Sequence, residues 1–484
     1  MTIPGRPPPM GPMPHMKTTA SGIFPVFKPV KALTVLDARP YSWEEQFTLV
    51  CLQGLVNRKE PRIFLVFNDH DDRKWLEIYR KTYKLRTTEA KNVDALLAQY
   101  APEAKGSVLF HEEMIHTMNV AQTWGSVHDA LPATPRIAET LGRLGLPVLE
   151  DLRGRFRDRI DAYEWAVENL LPQCNPHIVA NCCTDGWYPA KDHKYLPHVK
   201  DYLFAAKAFT VDLSSTKRDR REFELFDRIL AARPGDGVLL GWHCSKCREG
   251  QYVAQGARHG FFVFCNLRSP NYSVHAGIKT DYPFRQGHVA KSAVKLEDKV
   301  YVTFIHSDGD AIWAKNNFYA RNWLDSQRGT FKCSWEVQPY AIDIAPGQLE
   351  YYYRTRSAND YFVHGPSGAG YTAPAINPML DTYLAKTRQY CRKCDIKAGL
   401  IMNRDPWQAY EELVNGDLPK KVAAAFPEAL GFVHGYFGVP PYLESEFVGD
   451  MPYLQTAQYV GHMHDIHAEV VKFGEHVKDR PLFV

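Results

Sequence analysis

Short apolar runs alternate with longer amphipathic stretches along this 484-residue chain. An apolar run at 32–36, a helical stretch capped by Ser42 and reaching about Asn57, and a second apolar run at 62–67 predict strand, helix and strand. Such a βαβ unit implies a parallel pair joined by a right-handed crossover. The turn between Asp37 and Ser42 carries no glycine fingerprint, so no dinucleotide site is expected there. From about 101 to 221 the periodicity is mainly helical, with a strand near 177–181 and a helix over 161–171 stopped by Pro172.

After that a regular rhythm sets in. Strand-like runs fall at 238–242, 261–265, 300–305, 334–337, 361–363, 398–401 and 431–436, and most intervals have room for a helix. Repeated strand–helix units predict a parallel sheet covered by helices, either barrel-like or doubly wound. The expected division is a flexible Pro-rich tail at 1–28, a βαβ domain at 29–105, a mainly helical α/β middle region at 106–230, and a (β/α) domain at 231–484.

Composition narrows the picture. The length suits two or three domains, and 45% hydrophobic residues supply their cores. With 58 basic against 55 acidic residues the net charge is +3, which implies neither a nucleic-acid nor a membrane-surface partner. No apolar run approaches the roughly 20 residues of a membrane span. The first residues lack the apolar core of a secretory signal, so a cytoplasmic location is expected, or a secreted one if a leader was removed.

Ten cysteines in so long a chain do not make a disulfide scaffold. Two Cys-x-x-Cys pairs, Cys244/Cys247 and Cys391/Cys394, are separated by far more than the roughly 15–20 residues of a zinc ribbon. Leu380, Leu384, Thr387, Cys391 and Cys394 recur at helical spacing, which makes the second pair core. The first pair is open between core and metal.

In either architecture, ligands bind at the carboxyl ends of strands. His243 and Glu249 follow the run at 238–242, and Asn266 and Ser269 follow 261–265. His306-Ser307-Asp308-Gly309-Asp310 follows 300–305, Gln338 and Asp343 follow 334–337, and Asn403 and Asp405 follow 398–401, while 431–436 itself carries His434. Asp308 and Asp310 are the sharpest feature. Two nearby carboxylates divide into acid and base, as glycoside cleavage requires; with His306 they suit a divalent metal; and either suits a helix cap.

The run at 361–363 leads into His364-Gly365-Pro366-Ser367-Gly368-Ala369-Gly370-Tyr371, whose glycines suit close approach to a ligand, with a tight surface turn as the alternative. It lacks the Gly-Lys-Ser/Thr of a phosphate loop. Tyr371 offers a ring or hydroxyl to a sugar, and Ser367 a hydrogen bond. Tyr351-Tyr352-Tyr353 reads equally as helix packing, and His462, His464 and His467 as solvated histidines.

Gly368-Ala369-Gly370-Tyr371-Thr372-Ala373-Pro374 resembles the signature of the GxGYxYP family, whose members are assigned to glycoside hydrolysis. Leu52-Gln53-Gly54-Leu55-Val56-Asn57-Arg58 with Pro61-Arg62-Ile63 is similar to its N-terminal segment. Ser307-Asp308-Gly309-Asp310, Asp343-Ile344-Ala345-Pro346 and Gly365-Pro366-Ser367-Gly368 are similar to its C-terminal segment. Ala373 departs from the pattern, which has a second tyrosine there. The resemblance implies carbohydrate processing and several small domains ahead of a catalytic one.

The expected fold is therefore multidomain α/β, with small α/β N-terminal domains before a C-terminal (β/α) barrel-like or parallel-sheet domain. The expected reaction is glycosidic cleavage, with Asp308 and Asp310 as acid and base and Glu249 and Asp343 as further carboxylates. His306, Trp242, Ser367, Gly368, Gly370, Tyr371, Asn403, Asp405 and His434 would line subsites for a carbohydrate, without a cofactor. One alternative is a divalent-metal carbohydrate esterase or deacetylase using His306, Asp308 and Asp310. Another is a non-catalytic glycan-binding protein, which the Ala373 change favours.

Overall fold

The structure is a computed structural model describing residues 17–184, 199–267, 269–288, 295–309, 318–402, 417–434, 446–455, 466–476 and 482–483. The chain divides into two compact units, one of residues 1–281 with 342–349 and the other of 282–341 with 350–484.

In the first unit, β1 (Ala32–Asp37) pairs in parallel with β2 (Ile63–Val66) and β3 (Arg86–Glu89), in the order β2-β1-β3. The crossover helix Trp43–Lys59 begins at Ser42, whose Oγ accepts from Glu45 N while the Glu45 carboxylate accepts from Ser42 N at 2.9 Å. This reciprocal box satisfies two donors that a helix start leaves open. The segment similar to the family's N-terminal motif has a folding role. Gln53 Nε2 and Asn57 Nδ2 donate to Ile63 O at 3.1 and 3.0 Å, and Asn57 Oδ1 accepts from Arg62 N and Ile63 N. Gly54 lets the helix Lys200–Ala205 lie against it, since a Cβ there would meet Asp201 O at 2.5 Å.

The middle of the chain holds more strand than its periodicity predicts. β4 (Gly106–Leu109), β5 (Ala130–Ala133) and β6 (Val148–Asp151) form a parallel sheet in the order β5-β4-β6. A third sheet contains β7 (Ile178–Asn181), β8 (Phe209–Val211), β9 (Gly237–Gly241) and β10 (Phe261–Val263), in the order β10-β9-β7-β8. A boundary at 230/231 would cut this sheet, so β9 and β10 belong with the N-terminal sheets. The tail also ends earlier than residue 28. Ile23, Phe24 and Phe27 are buried, with Phe24 against Phe264 and Phe27 against Tyr202, because three large apolar side chains favour burial over solvent.

The second unit opens with β11 (Val300–Tyr301), which pairs with β19 (Leu482–Phe483). Among the described residues its main sheet has seven strands: β12 (Ile305–His306), β13 (Cys333–Val337), β14 (Asp360–His364), β15 (Ala398–Ile401), β16 (Gly431–His434), β17 (Glu446–Val448) and β18 (Met451–Gln455). The order is β12-β13-β14-β15-β16-β18-β17, parallel except for β17. The strands from β12 to β16 add in one direction without reversal, as in a barrel rather than a doubly wound sheet. The sheet curls without closing, a half-barrel. All their carboxyl ends therefore lie at one edge.

Candidate active site

The centre of that edge is a residue the sequence reading passed over. On β13, Trp335 packs edge-on to Trp323 at 4.9 Å and stacks on His306 at 4.6 Å, which fixes the helix-covered face of the strand. Alternation turns Glu336 to the other face, where it is fully buried. Two glycines make room for it. A Cβ on Gly309 would overlap the Glu336 backbone and lie 2.5 Å from its Cβ; one on Gly365 would lie 2.6 Å from Oε2 and 2.7 Å from Cγ. Ser307-Asp308-Gly309 and Gly365-Pro366-Ser367-Gly368 thus meet on one glutamate. A carboxylate inside a predicted strand, between Trp335 and Val337, was the available signal, because folding alone does not favour a buried charge.

Asp308 follows β12 in the left-handed region, at φ +64°. Its carboxyl is crowded but solvent-accessible, and lost hydration holds it above the usual carboxylate range against the pull of His306. His306 Nδ1 donates to Ser307 O at 3.0 Å, and Asn322 Nδ2 donates to Nε2 at 2.8 Å. Both ring nitrogens are thereby engaged, with the proton on Nδ1, and burial favours the neutral ring. Just past Glu336, the Gln338 side-chain amide is buried and has no hydrogen-bond partner among the described residues.

The loop after β14 is held from below. Ser367 Oγ lies 2.9 Å from Thr372 O and 2.7 Å from Met402 O, and accepts from Met402 N at 3.0 Å. Gly368 presses on the helix Leu380–Lys393, where a Cβ would meet Tyr383 Oη at 2.6 Å and Thr387 Oγ1 at 2.7 Å. Ala369 N donates to Thr387 Oγ1, and Tyr383 Oη donates to Gly370 O. Tyr371 is only 4% exposed and its hydroxyl donates to Met402 Sδ at 2.8 Å. His364 lies over Gly399 between Phe426 and Phe432, and burial pushes its pKa down to about 3. His434 is buried beside Tyr453.

Asp308, His306, Ser367, Gly368, Gly370, Tyr371 and His434 therefore belong to one sheet edge or its supporting loop. Trp242 and Glu249 do not: they follow β9 in the third sheet of the first unit, Trp242 buried against Tyr252 and Glu249 exposed at the start of the helix Glu249–Ala257. Asp343, in the short helix Ala341–Ile344, groups with the first unit and accepts from Thr19 Oγ1 at 2.6 Å. Asp310, Asn403, Asp405, His462 and His464 lie outside the described residues. Cys391 and Cys394 are buried at the end of their helix, and Tyr352 and Tyr353 are packing residues. Among the described residues, no three His, Cys, Asp or Glu side chains gather as a metal site, and no helix is long and apolar enough to cross a membrane.

Four family models match the chain in order. Three are the first, second and third N-terminal domains of GxGYxYP proteins, at 32–102, 104–174 and 182–277. The fourth, at 298–477, is described as "GxGYxYP putative glycoside hydrolase C-terminal domain". No curated protein matches. Among solved structures, the chain is similar to one described as a putative hydrolase from Bacteroides thetaiotaomicron VPI-5482. The two are 21% identical, with a TM-score of 0.78 over 90% of this chain and 82% of that one. At that identity the likeness speaks for the fold.

Proposed function

The chain belongs to the GxGYxYP family, and from that premise we propose that it hydrolyses glycosidic bonds at the carboxyl edge of the seven-stranded sheet. The observation that carries this reading is Glu336, a fully buried carboxylate for which two separate glycine motifs leave space. Asp308, on the neighbouring strand end, holds its proton more tightly than an ordinary aspartate and suits the donor to the departing sugar oxygen. Glu336 suits the second role, meeting the positive charge that develops at the anomeric carbon. Gln338, with an uncommitted amide among the described residues, offers hydrogen bonds to a sugar hydroxyl. Asp310, two residues further along the sequence, remains a further candidate carboxylate.

The metal-dependent esterase reading has less support, because both His306 ring nitrogens are engaged. The test is incubation of the full chain with a broad glycan panel and mass detection of products, beside Asp308→Asn and Glu336→Gln. The expected result is a hydrolysed glycan and a loss of at least a hundredfold in kcat for each variant, with melting unchanged or raised. Chelator-sensitive deacetylation would favour the esterase, and affinity by calorimetry without product would favour a binding protein. Either outcome, or full turnover in both variants, overturns the proposal.

A further inference from the structure

Three thiols gather in the first unit, at the carboxyl end of the third sheet. β7 and β9 lie side by side with Asn181 facing Gly241, and Trp242 N donates to Asn181 O at 2.9 Å. The chain leaving β7 carries Cys183 two residues on, and the chain leaving β9 carries Cys244 three residues on. Cys247 closes a turn in which its N–H donates to Cys244 O at 3.4 Å. Cys183, Cys244 and Cys247 pack in one cluster, with Cys244 Sγ and Cys247 Sγ 3.6 Å apart. A disulfide needs about 2.0 Å between sulfurs, so closure asks for roughly 1.5 Å of movement by two short side chains.

The cluster differs from the other cysteines. It differs in sulfur-to-sulfur contact and not in exposure: Cys183, Cys244 and Cys247 are buried, at 7%, 3% and 6%, and Cys333 is more exposed than any of them. Burial pushes up the thiols of Cys51, Cys174, Cys182, Cys333 and Cys391, which makes them poor nucleophiles. The hydrogen bond with Cys247 instead pulls Cys244 down to about 7, against the opposing effect of burial. Cys247 is pushed the other way by the same bond. One sulfur is thus poised as thiolate and its neighbour keeps a proton.

We infer that Cys244 and Cys247 form a reversible dithiol–disulfide site, oxidised by a small hydroperoxide. The Cys244 thiolate attacks the near peroxide oxygen, the O–O bond breaks, and Cys244 becomes a sulfenic acid as hydroxide, or an alkoxide, leaves. Cys247 sulfur then attacks the Cys244 sulfur, the S–O bond breaks, and the Cys247 proton leaves with the hydroxyl group as water. The two thiols lose two electrons in all, which reduce the peroxide. A thiol reductant reverses the change by exchange.

The experiment treats the full chain with hydrogen peroxide, blocks the remaining thiols with iodoacetamide in denaturant, and digests with trypsin. Trypsin cuts after Lys246, between the two cysteines, so a disulfide joins two otherwise separate peptides. The linked pair is expected to form first among the ten cysteines and to disappear on reduction with dithiothreitol. Cys247→Ser should instead leave a sulfenic acid at Cys244 that dimedone traps, and Cys247→Ala should slow Cys244 modification at pH 7 by about tenfold as the thiolate becomes scarce. Linkage of Cys183 to Cys244, uniform oxidation of all exposed thiols, or no linked pair in the wild-type chain would overturn the inference. Melting curves of the variants separate chemical loss from misfolding.

Discussion

Gly365→Ala probes the site through a single methyl group. Gly365 does not sit at positive φ, so alanine adds no backbone strain and acts through space alone. Its Cβ would stand 2.6 Å from Glu336 Oε2 and 2.7 Å from Cγ, whereas carbon atoms rest about 3.5 Å apart. The glutamate must therefore withdraw by about 1 Å. A displacement of that size at a reacting group costs on the order of a hundredfold in rate. Overpacking costs roughly 1–3 kcal/mol of stability. The assay is kcat and KM on the glycan found in the panel, with thermal melting alongside. Because the methyl acts through Glu336, adding Gly365→Ala to Glu336→Gln should lower kcat little further. Independent, multiplicative losses in the double variant would refute the reasoning, as would wild-type kcat in Gly365→Ala.

Other outcomes follow from the same geometry. Ser367→Ala removes the hydroxyl that joins the glycine loop to Met402, and should cost about 1–3 kcal/mol in chemical denaturation while raising KM. Tyr371→Phe loses the hydroxyl's contact with Met402 Sδ; a melting drop worth about 1 kcal/mol with KM unchanged is expected, and a large rise in KM would restore Tyr371 as a sugar contact. Burial lifts the folded-state pKa of Asp201 from 3.8 to about 6, so the unfolded chain releases that proton first and stability falls as pH rises from about 4 to 6. Asp201→Asn, which keeps an acceptor for Ser273, should stabilise the fold in chemical denaturation at pH 8 but not at pH 4, by up to roughly 3 kcal/mol. A uniform shift at both pH values would contradict this.

Much of the architecture was legible because it rests on long, regular signals. The first βαβ unit followed from its apolar runs and the Ser42 cap, and β12 to β16 of the C-terminal sheet followed from their spacing, whereas β17 and β18 were not foreseen. The middle of the chain hid its strands for physical reasons. β5 reads Ala-Leu-Pro-Ala and tolerates Pro132 because it is an edge strand, while β6 exposes Val148 and Leu149 and so lacks a buried pattern. The 230/231 boundary failed because β9 looks like any other strand in the rhythm, and only pairing with β7 assigns it. The same error carried Trp242 and Glu249 toward the wrong sheet. Glu336 lies within a strand, whereas the polar residues that mark a strand-end site in sequence follow the strands. A carboxylate in a strand is visible in sequence, but its two glycine neighbours are visible only once the strands stand side by side.

That three-way fit constrains how these proteins drift. Glu336, Gly309 and Gly365 sit on separate segments, yet neither glycine can be enlarged without Glu336 yielding. Homologues that keep glutamate at 336 should keep glycine at both other positions. An alanine at 365 should arise only in lineages where residue 336 has already shortened, so the order of inheritance is itself readable.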